Sequence, residues 1–142
     1  MPSEAFEEIV ENFEMFDDWE DRYRYVIELG KEMPALDNER KTDGAKVEGC
    51  ASQVWLVPNV QDGADGQHLF FDGDSDAMIV RGLIAVLRVL LSGASVREIA
   101  TMDVQAELAR LGLEQHLSSQ RSNGLKAMIA RLKDIAGAAQ AA

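Results

Sequence analysis

Apolar residues recur at helical spacing along the first third of the chain. Two stripes with i, i+3, i+4 periodicity follow one another, which predicts two consecutive amphipathic helices. The first stripe contains Phe6, Ile9, Val10, Phe13 and Phe16, and the second contains Trp19, Tyr23, Val26, Ile27 and Met33. Asp17 and Glu20 have the spacing of a capping box for the second helix, and Pro34 lies just beyond its end. The polar segment from Leu36 to Gly44 predicts a loop.

The pattern then changes to that of extended chain. Lys46–Glu48 is a short candidate strand, and the valine-rich segment Gln53–Val60 is a stronger one. Residues 62–66 are dense in Asp and Gly and predict a turn, after which Gln67–Phe71 predicts the returning strand. Strands joined by connections this short run antiparallel, so we expect a three-stranded antiparallel meander.

Helical spacing returns in the second half of the chain. Asp74, Ser75 and Asp76 offer an N-cap for a helix that ends near residues 92–93, and its broad apolar face is expected to pack on the sheet. Further caps are predicted at Ser95, which forms a capping box with Glu98, and at Asp103, for a short helix ending at Gly112.

A last helix carries Leu125, Met128, Ile129, Leu132 and Ile135 on one face. The Ala-rich tail behind it is expected to fray. Residues 1–142 show no repeat and no linker, so we expect one domain with its core in residues 4–136. The predicted fold is α+β, a small three-stranded antiparallel sheet with helices packed on one face.

Composition narrows the class of protein. The chain has 142 residues, of which 46% are hydrophobic and 27% are charged, as expected for one soluble domain. Its single cysteine excludes an intramolecular disulfide and a Cys-rich metal site within one subunit. The acidic N-terminus does not resemble a signal peptide, and the apolar stretch 78–91 is too short to span a bilayer. We therefore expect a cytoplasmic protein.

The charge is strongly acidic, with a net value of −11. Nucleic acids and anionic membranes are disfavoured as partners, because both require basic surfaces. Residues 1–43 hold 14 acidic and 5 basic side chains. This run is interpreted either as a solvated face or as a docking surface for a basic partner.

Cys50 is the clearest candidate for a reactive side chain in this sequence. It lies between two predicted strands and follows Gly49, which permits backbone dihedrals that other residues avoid. The thiol could accept sulfane sulfur as a persulfide, sense peroxide, or act in a Cys–His hydrolase with His68 or His116. Each histidine is more typical of a surface or satisfied residue than of a base. The remaining alternative is a buried, unreactive cysteine.

Three blocks of sequence resemble the signature of the SufE family of cysteine-desulfurase activators, which includes CsdE. The blocks are Gly49–Trp55 (Gly-Cys-Ala-Ser-Gln-Val-Trp), Asp72–Ala77 leading into Ile79–Val86, and Gln115–Leu125 followed by Ala127-Met128. Trp19-Glu20 and Tyr25–Gly30 also match the family's N-terminal helix pair, so the resemblance spans about residues 4–136. Ser119 stands where the family usually has proline, which alters the entry to the last helix.

The resemblance implies a sulfur carrier with a SufE/IscU-like fold. Members dock on a pyridoxal-phosphate (PLP) cysteine desulfurase of the SufS or CsdA kind, stimulate it, and take sulfur from its persulfide. They pass the sulfur to a SufBCD-like or other iron–sulfur scaffold. The acceptor falls on Cys50, and the PLP belongs to the partner, so no cofactor or metal is expected on this chain. A scaffold role like that of IscU needs several cysteines and is excluded within one subunit.

Several residues are given supporting roles around Cys50. The flanking ones are Gly49, Ser52 and Gln53. Asp74 and Asp76 are interpreted as helix caps, and Asp74 alternatively as a like charge that raises the pKa of the thiol. Arg121 either pairs with an acid or stabilises the thiolate and its loop. We expect the loop to shield Cys50 at rest and to swing outward on docking. A single-cysteine redox sensor and a non-catalytic interaction module are the rival functions.

Overall fold

In the computed structural model, which describes residues 3–49 and 52–141, the first two helices form where the apolar stripes predict them. They are α1 (Glu4–Met15) and α2 (Trp19–Glu32). The cap of α2 is Asp18, whose side chain accepts a hydrogen bond from the Asp21 N–H. The prediction of Asp17 was therefore wrong by one residue, because α2 begins at Trp19 and the N-cap is the residue directly before the first helical one. Pro34 lies just beyond the end of α2, as predicted.

A three-stranded antiparallel sheet is present, as predicted, with the order β1-β2-β3. The strands are β1 (Val54–Gly63), β2 (Gly66–Ser75) and β3 (Ala94–Ser95). Val54 pairs with Ser75 at one end of the β1–β2 hairpin and Gly63 pairs with Gly66 at the turn. The hairpin confirms the strands and turn expected in this region and is longer than the sequence indicates.

The third strand is not the predicted one. Lys46–Glu48 contributes only an isolated bridge between Lys46 and Trp55. The third partner is β3, which pairs with His68 and Leu69 of β2. A two-residue strand is too short to show alternation, so its pairing depends on tertiary packing that the sequence pattern does not reveal.

Five helices follow the hairpin in the described part of the chain. They are α3 (Met78–Leu91), α4 (Val96–Thr101), α5 (Val104–Ala109), α6 (Leu113–His116) and α7 (Ser119–Ala141). The predicted caps Ser95 and Asp103 are confirmed, since each side chain accepts a backbone N–H of its helix. The predicted cap at residues 74–76 was wrong, because the N-cap of α3 is Ala77 and makes no side-chain bond. The helix that begins after Asp103 ends at Ala109, before the expected Gly112.

The last helix, α7, begins at Ser119, the first helical position, where proline is also favoured. Its predicted apolar face is confirmed, with Leu125, Met128, Ile129 and Leu132 buried and Ile135 partly buried. The helix continues through the Ala-rich tail to Ala141, for which fraying stays a prediction.

The edge of β2 beyond β3 is covered by side chains from the last turn and cap of α3. At Phe71, the Ser92 Oγ accepts from the backbone N–H at 3.2 Å and the Arg88 Nε donates to the carbonyl at 3.1 Å. Arg88 also bonds the Asp72 carboxylate at 3.2 Å. The polar backbone groups of Phe71 are thereby satisfied without a strand partner on this edge of β2.

Helices α2 and α3 cross at a contact between two glycines. A Cβ added to Gly82 would lie 2.3 Å from the Val26 carbonyl oxygen, and one added to Gly30 would lie 2.7 Å from the Gly82 nitrogen. Real Cβ atoms do not approach backbone this closely, so both positions require glycine for the observed crossing. The two helix backbones therefore pack directly on each other.

A buried ion pair fixes the same crossing. Asp74, the one charged residue among the described core, is only 3% exposed. Its Oδ1 accepts from the Arg81 Nη1 at 2.6 Å. The Arg81 Nε and Nη2 donate to the carbonyls of Gly30 at 2.7 Å and Met33 at 2.6 Å, at the end of α2. One guanidinium thus joins β2, α3 and the last turn of α2.

The Gly82→Ala variant should lose stability. A methyl group there meets the Val26 backbone, and overpacking of this kind costs about 1–3 kcal/mol, against a helix-propensity gain near 1 kcal/mol. Urea unfolding measures the free energy. Gly137→Ala in α7 is the matched control, because no atom lies within 4 Å of its added Cβ, and it should be stabilised by up to about 1 kcal/mol. Equal effects of the two substitutions would refute the close crossing.

The ionisation of Asp74 should make the free energy of unfolding depend on pH in the acid range. Burial acts to raise the pKa of its carboxyl, but the Ser75 and Leu36 N–H groups and the charges of Arg81 and Lys41 outweigh burial and hold the pKa below its usual value. A lowered folded pKa means that the stabilisation is complete above the unfolded pKa, near 3.9, and is lost as pH falls through the folded pKa.

Asp74→Asn should therefore lose roughly 2 kcal/mol at pH 7, and the difference from the parent protein should shrink in acid. Chemical denaturation between pH 7 and pH 2 measures both. The exposed Asp134→Asn is the control and should change little. A difference that stays constant with pH would contradict the assignment.

Candidate functional site

The segment that carries Cys50 leaves and re-enters the sheet at two buried residues. The Val47 N–H donates to the Val54 carbonyl at 2.8 Å, and the two side chains are 4% and 0% exposed. The Leu56 N–H donates to the Ala45 carbonyl at 2.9 Å, which extends the pairing. Residues 48–53 thus form a short connection with fixed ends. Cys50 and its neighbour Ala51 lie outside the described residues.

The incoming side of the connection rests on α7. Gly49 has φ +90°, and a Cβ there would lie 3.4 Å from the Ala127 Cβ. This φ lies in the left-handed region, which glycine permits and other residues avoid. Arg131 donates to the Gly44 carbonyl at 2.5 Å and the Lys46 carbonyl at 3.4 Å. Helix α7 therefore holds the chain on its way to Cys50.

The outgoing side is held by Asp76. The Gln53 N–H donates to the Asp76 Oδ1 at 3.0 Å, and the Asp76 N–H donates to the Gln53 carbonyl at 3.3 Å. Asp76 was predicted to cap a helix, and the structure instead places it against the Cys50 connection. Only the pairing of β1 with β2 brings Gln53 and Asp76 together, so no local pattern could have revealed this contact.

A recess of about 320 Å³ lies beside the connection. Its apolar wall comes from Val80 and Leu83 of α3 and from Leu125 and Met128 of α7. Its polar side includes Ser52, which follows Ala51, together with Arg121, Ser118 and Gln120 at the start of α7. Two residues predicted to support Cys50 from distant parts of the chain, Ser52 and Arg121, are thus brought to one cavity.

Arg121 is exposed, and its backbone N–H donates to the Ser118 Oγ at 3.3 Å. Among the described side chains, which do not include that of Glu114, no acid is paired with its guanidinium, and the interpretation as an ion pair near the helix start stays a prediction. Its place in the recess agrees with the other interpretation, a residue beside the cysteine loop.

Asp74 has a structural role in the described part of the chain. Its Oδ2 accepts from the Leu36 N–H at 3.2 Å and lies 3.5 Å from the Lys41 Nζ. Together with Arg81, these groups compensate its charge, which keeps the carboxylate ionised while buried. Its interpretation as a helix cap was wrong. Its effect on the Cys50 thiol stays a prediction.

Each histidine has a partner among the described residues. The His68 ring nitrogens lie 2.9 Å from the Gly93 carbonyl and 2.7 Å from the Asp65 carboxylate, and the bond to Asp65 and then the bond to Gly93 raise the His68 pKa. His68 also lies seven positions, about 24 Å, along β2 from Ser75, the partner of Val54. His116 is exposed and stacks on Trp19 at 3.8 Å. Both fit the surface or satisfied histidines predicted from sequence.

The described residues form neither a metal-ligand cluster nor a membrane-spanning helix. No group of three or more His, Cys, Asp and Glu side chains is placed to hold a metal ion within residues 3–49 and 52–141. In the same part of the chain, every helix is too short or too polar to cross a membrane.

Comparison with known proteins agrees with the three sequence blocks. The SufE family, described as "Fe-S metabolism associated domain", matches residues 7–136. An uncharacterized SufE-like protein of Rhizobium etli is 48% identical over 130 residues, covering 92% of this chain and 88% of the relative. A second from Rhizobium meliloti is 48% identical over 129 residues, covering 91% and 92%.

The fold is also that of a solved structure. The solution structure of a hypothetical protein from Thermus thermophilus aligns over the whole of both chains with a TM-score of 0.77, at 19% identity. This likeness supports the α+β architecture predicted from sequence. The family match over residues 7–136 and the relatives at 48% identity show that the chain belongs to the SufE family, whose domain is associated with iron–sulfur metabolism.

Proposed function

We propose that this protein is a sulfur carrier that takes persulfide sulfur from a PLP-dependent cysteine desulfurase onto Cys50 and delivers it to an iron–sulfur scaffold. The observation that carries the proposal is the short connection 48–53. It bears the only cysteine of a SufE-family chain and is anchored at both ends on the rigid fold. An anchored loop can present a thiol to a partner without disturbing the core.

The proposed reaction is a thiol exchange. The Cys50 thiolate attacks the terminal sulfur of the donor's persulfide, and a new S–S bond forms on Cys50 as the donor's S–S bond breaks. The donor cysteine leaves as a thiolate, so no external oxidant or reductant is consumed. Removal of the sulfur frees the desulfurase for another turnover, which explains stimulation. Delivery to a cysteine of the scaffold repeats the same exchange.

The surroundings of the connection support this chemistry. A free thiol has a reference pKa of about 8.5, so only a few per cent is thiolate at neutral pH. A cation favours the thiolate, and Arg121 lines the same recess as Ser52. PLP chemistry remains on the desulfurase in this proposal, and this chain supplies the thiol and the fold that presents it.

Fixed ends and a permissive glycine support the proposed outward swing of Cys50 on docking. Val47 and Val54 are buried and paired, whereas Gly49 between them is exposed and has positive φ. In the proposed resting state the connection lies against α7 and shields the thiol. Docking exchanges these contacts for contacts with the desulfurase, so only the 48–53 connection has to move.

Incubation with a cysteine desulfurase and L-cysteine should add one or more sulfur atoms to the protein. The gain is expected because the donor persulfide and Cys50 exchange sulfur, and intact mass under non-reducing conditions measures it. Cys50→Ser is the matched control and should gain nothing. The absence of any gain with several active desulfurases would contradict the sulfur-carrier proposal and favour a non-catalytic interaction module.

Asp76→Ala should expose Cys50 in the free protein. The substitution removes the acceptor of the Gln53 N–H, and one hydrogen bond is worth about 0.5–1.5 kcal/mol, so the open population should rise about 2- to 10-fold. The rate of Cys50 alkylation by iodoacetamide, measured by mass spectrometry, reports that population. Asp134→Ala on α7 should react like the parent protein. An unchanged rate in Asp76→Ala would show that this bond does not restrain the loop.

A further inference from the structure

Sulfur transfer constrains what the donor must cover. The Cys50 sulfur has to reach bonding distance of the donor's sulfur, so the surface around residues 48–53 becomes an interface whenever transfer occurs. Interfaces of this kind bury an apolar centre within a polar rim. The side chains that surround the connection should therefore include an apolar anchor for the desulfurase.

The structure offers such a side chain at the start of α3. Four large apolar residues are exposed in the part of the chain that the structure describes: Met15 (77%), Met78 (56%), Phe70 (37%) and Val60 (36%). Met78 follows Asp76 by two residues, and Asp76 is bonded twice to Gln53. Those two bonds fix the first turn of α3 against the connection that carries Cys50.

The orientation of this turn is also fixed. The Ala77 N–H donates to the Ser75 Oγ at 3.2 Å, and Ser75 belongs to β2, where it pairs with Val54. Met78 is therefore presented from a rigid base at the point where the connection re-enters the sheet. Its neighbours Gln53 and Asp76 are exposed and polar, which supplies the rim of such an interface.

The exposed residues of the hairpin do not share this position. Val60 lies six positions along β1 from Val54, and Phe70 lies five positions along β2 from Ser75. At about 3.4 Å per residue these separations are roughly 20 Å and 17 Å. Either residue lies farther along the hairpin than the connection reaches, so neither is positioned to join an interface centred on Cys50.

We propose that Met78 is an apolar anchor of the docked cysteine desulfurase, which covers this side chain while Cys50 engages the donor's persulfide. The inference rests on the proposed function and adds a residue that sets affinity for the donor. Methionine suits the role because its flexible, polarisable side chain adapts to the surface it meets. The partner would present an apolar depression beside its persulfide-bearing cysteine.

Titration of a purified cysteine desulfurase with Met78→Asp tests the proposal. We expect the dissociation constant, and the concentration for half-maximal stimulation, to rise about tenfold, which corresponds to about 1.4 kcal/mol. The maximal transfer rate at saturation should stay within about twofold, because Met78 does not touch the reacting atoms. Alkylation of Cys50 in the free protein should also be unchanged.

Three further variants separate the apolar contact from other effects. Val60→Asp adds the same charge on the distant part of the hairpin and should bind within about twofold of the parent protein. Met78→Leu retains an apolar side chain and should restore binding. Met78→Gln has similar length without a charge and should weaken binding in the same direction as Met78→Asp. Thermal unfolding of each variant checks that the fold is kept.

The outcomes distinguish the two levels of proposal. If the parent protein gains sulfur on Cys50 and Met78→Asp and Met78→Gln bind as it does, the anchor is refuted and the sulfur carrier stands. If Val60→Asp weakens binding as much as Met78→Asp, the effect belongs to added charge and the anchor is refuted. If the parent protein neither binds nor gains sulfur with a panel of active desulfurases, both proposals fall.

Discussion

The ion pair between Asp74 and Arg81 is the interaction on which the rest of the structure depends. Gly30 and Gly82 let α2 and α3 touch backbone to backbone, which brings the carbonyls at the end of α2 within reach of the same Arg81 guanidinium. The pair then secures β2 to α3, and the turn between them carries Asp76 toward the Cys50 connection. Removing one partner of such a pair leaves a buried charge uncompensated, which costs more than the pair itself contributes. Core packing and placement of the site are therefore coupled at one point.

Side-chain periodicity predicted most of the fold, because most helices and strands are specified by the local pattern of apolar and polar residues. The stripes of α1, α2 and α7 and the hairpin around residues 62–66 follow directly from side-chain spacing. The exceptions arise where tertiary contacts override local pattern. Strand β3 has two residues and exists because β2 offers it an edge. The acids of residues 74–76 have the composition of a helix cap, yet they bond Arg81 within α3 and also Leu36 and Gln53, the last two of which are remote in sequence.

The candidate site was accessible to sequence reasoning in a different way. Cys50 stands out because it is the only thiol, and the φ of Gly49 follows from the need for a tight departure from the sheet. Arg121 was indicated by its block of family-like sequence. The fold brings it close to the Cys50 connection, because the start of α7 and Ser52 line the same recess. Met78 carried no signal of its own. An exposed methionine becomes a candidate contact residue only because the hydrogen bonds of Asp76 place it next to the cysteine connection.

The covered edge of β2 has a consequence for how other chains can associate with this protein. An unpaired strand edge recruits other chains indiscriminately, because its free amides and carbonyls accept almost any extended segment. Arg88 and Ser92 occupy these groups at Phe71, where β3 has already ended. Although β3 is short, the backbone groups of Phe71 are therefore not free to pair with a strand of another chain. Another chain that binds here must contact side chains, whose shape and polarity make binding selective.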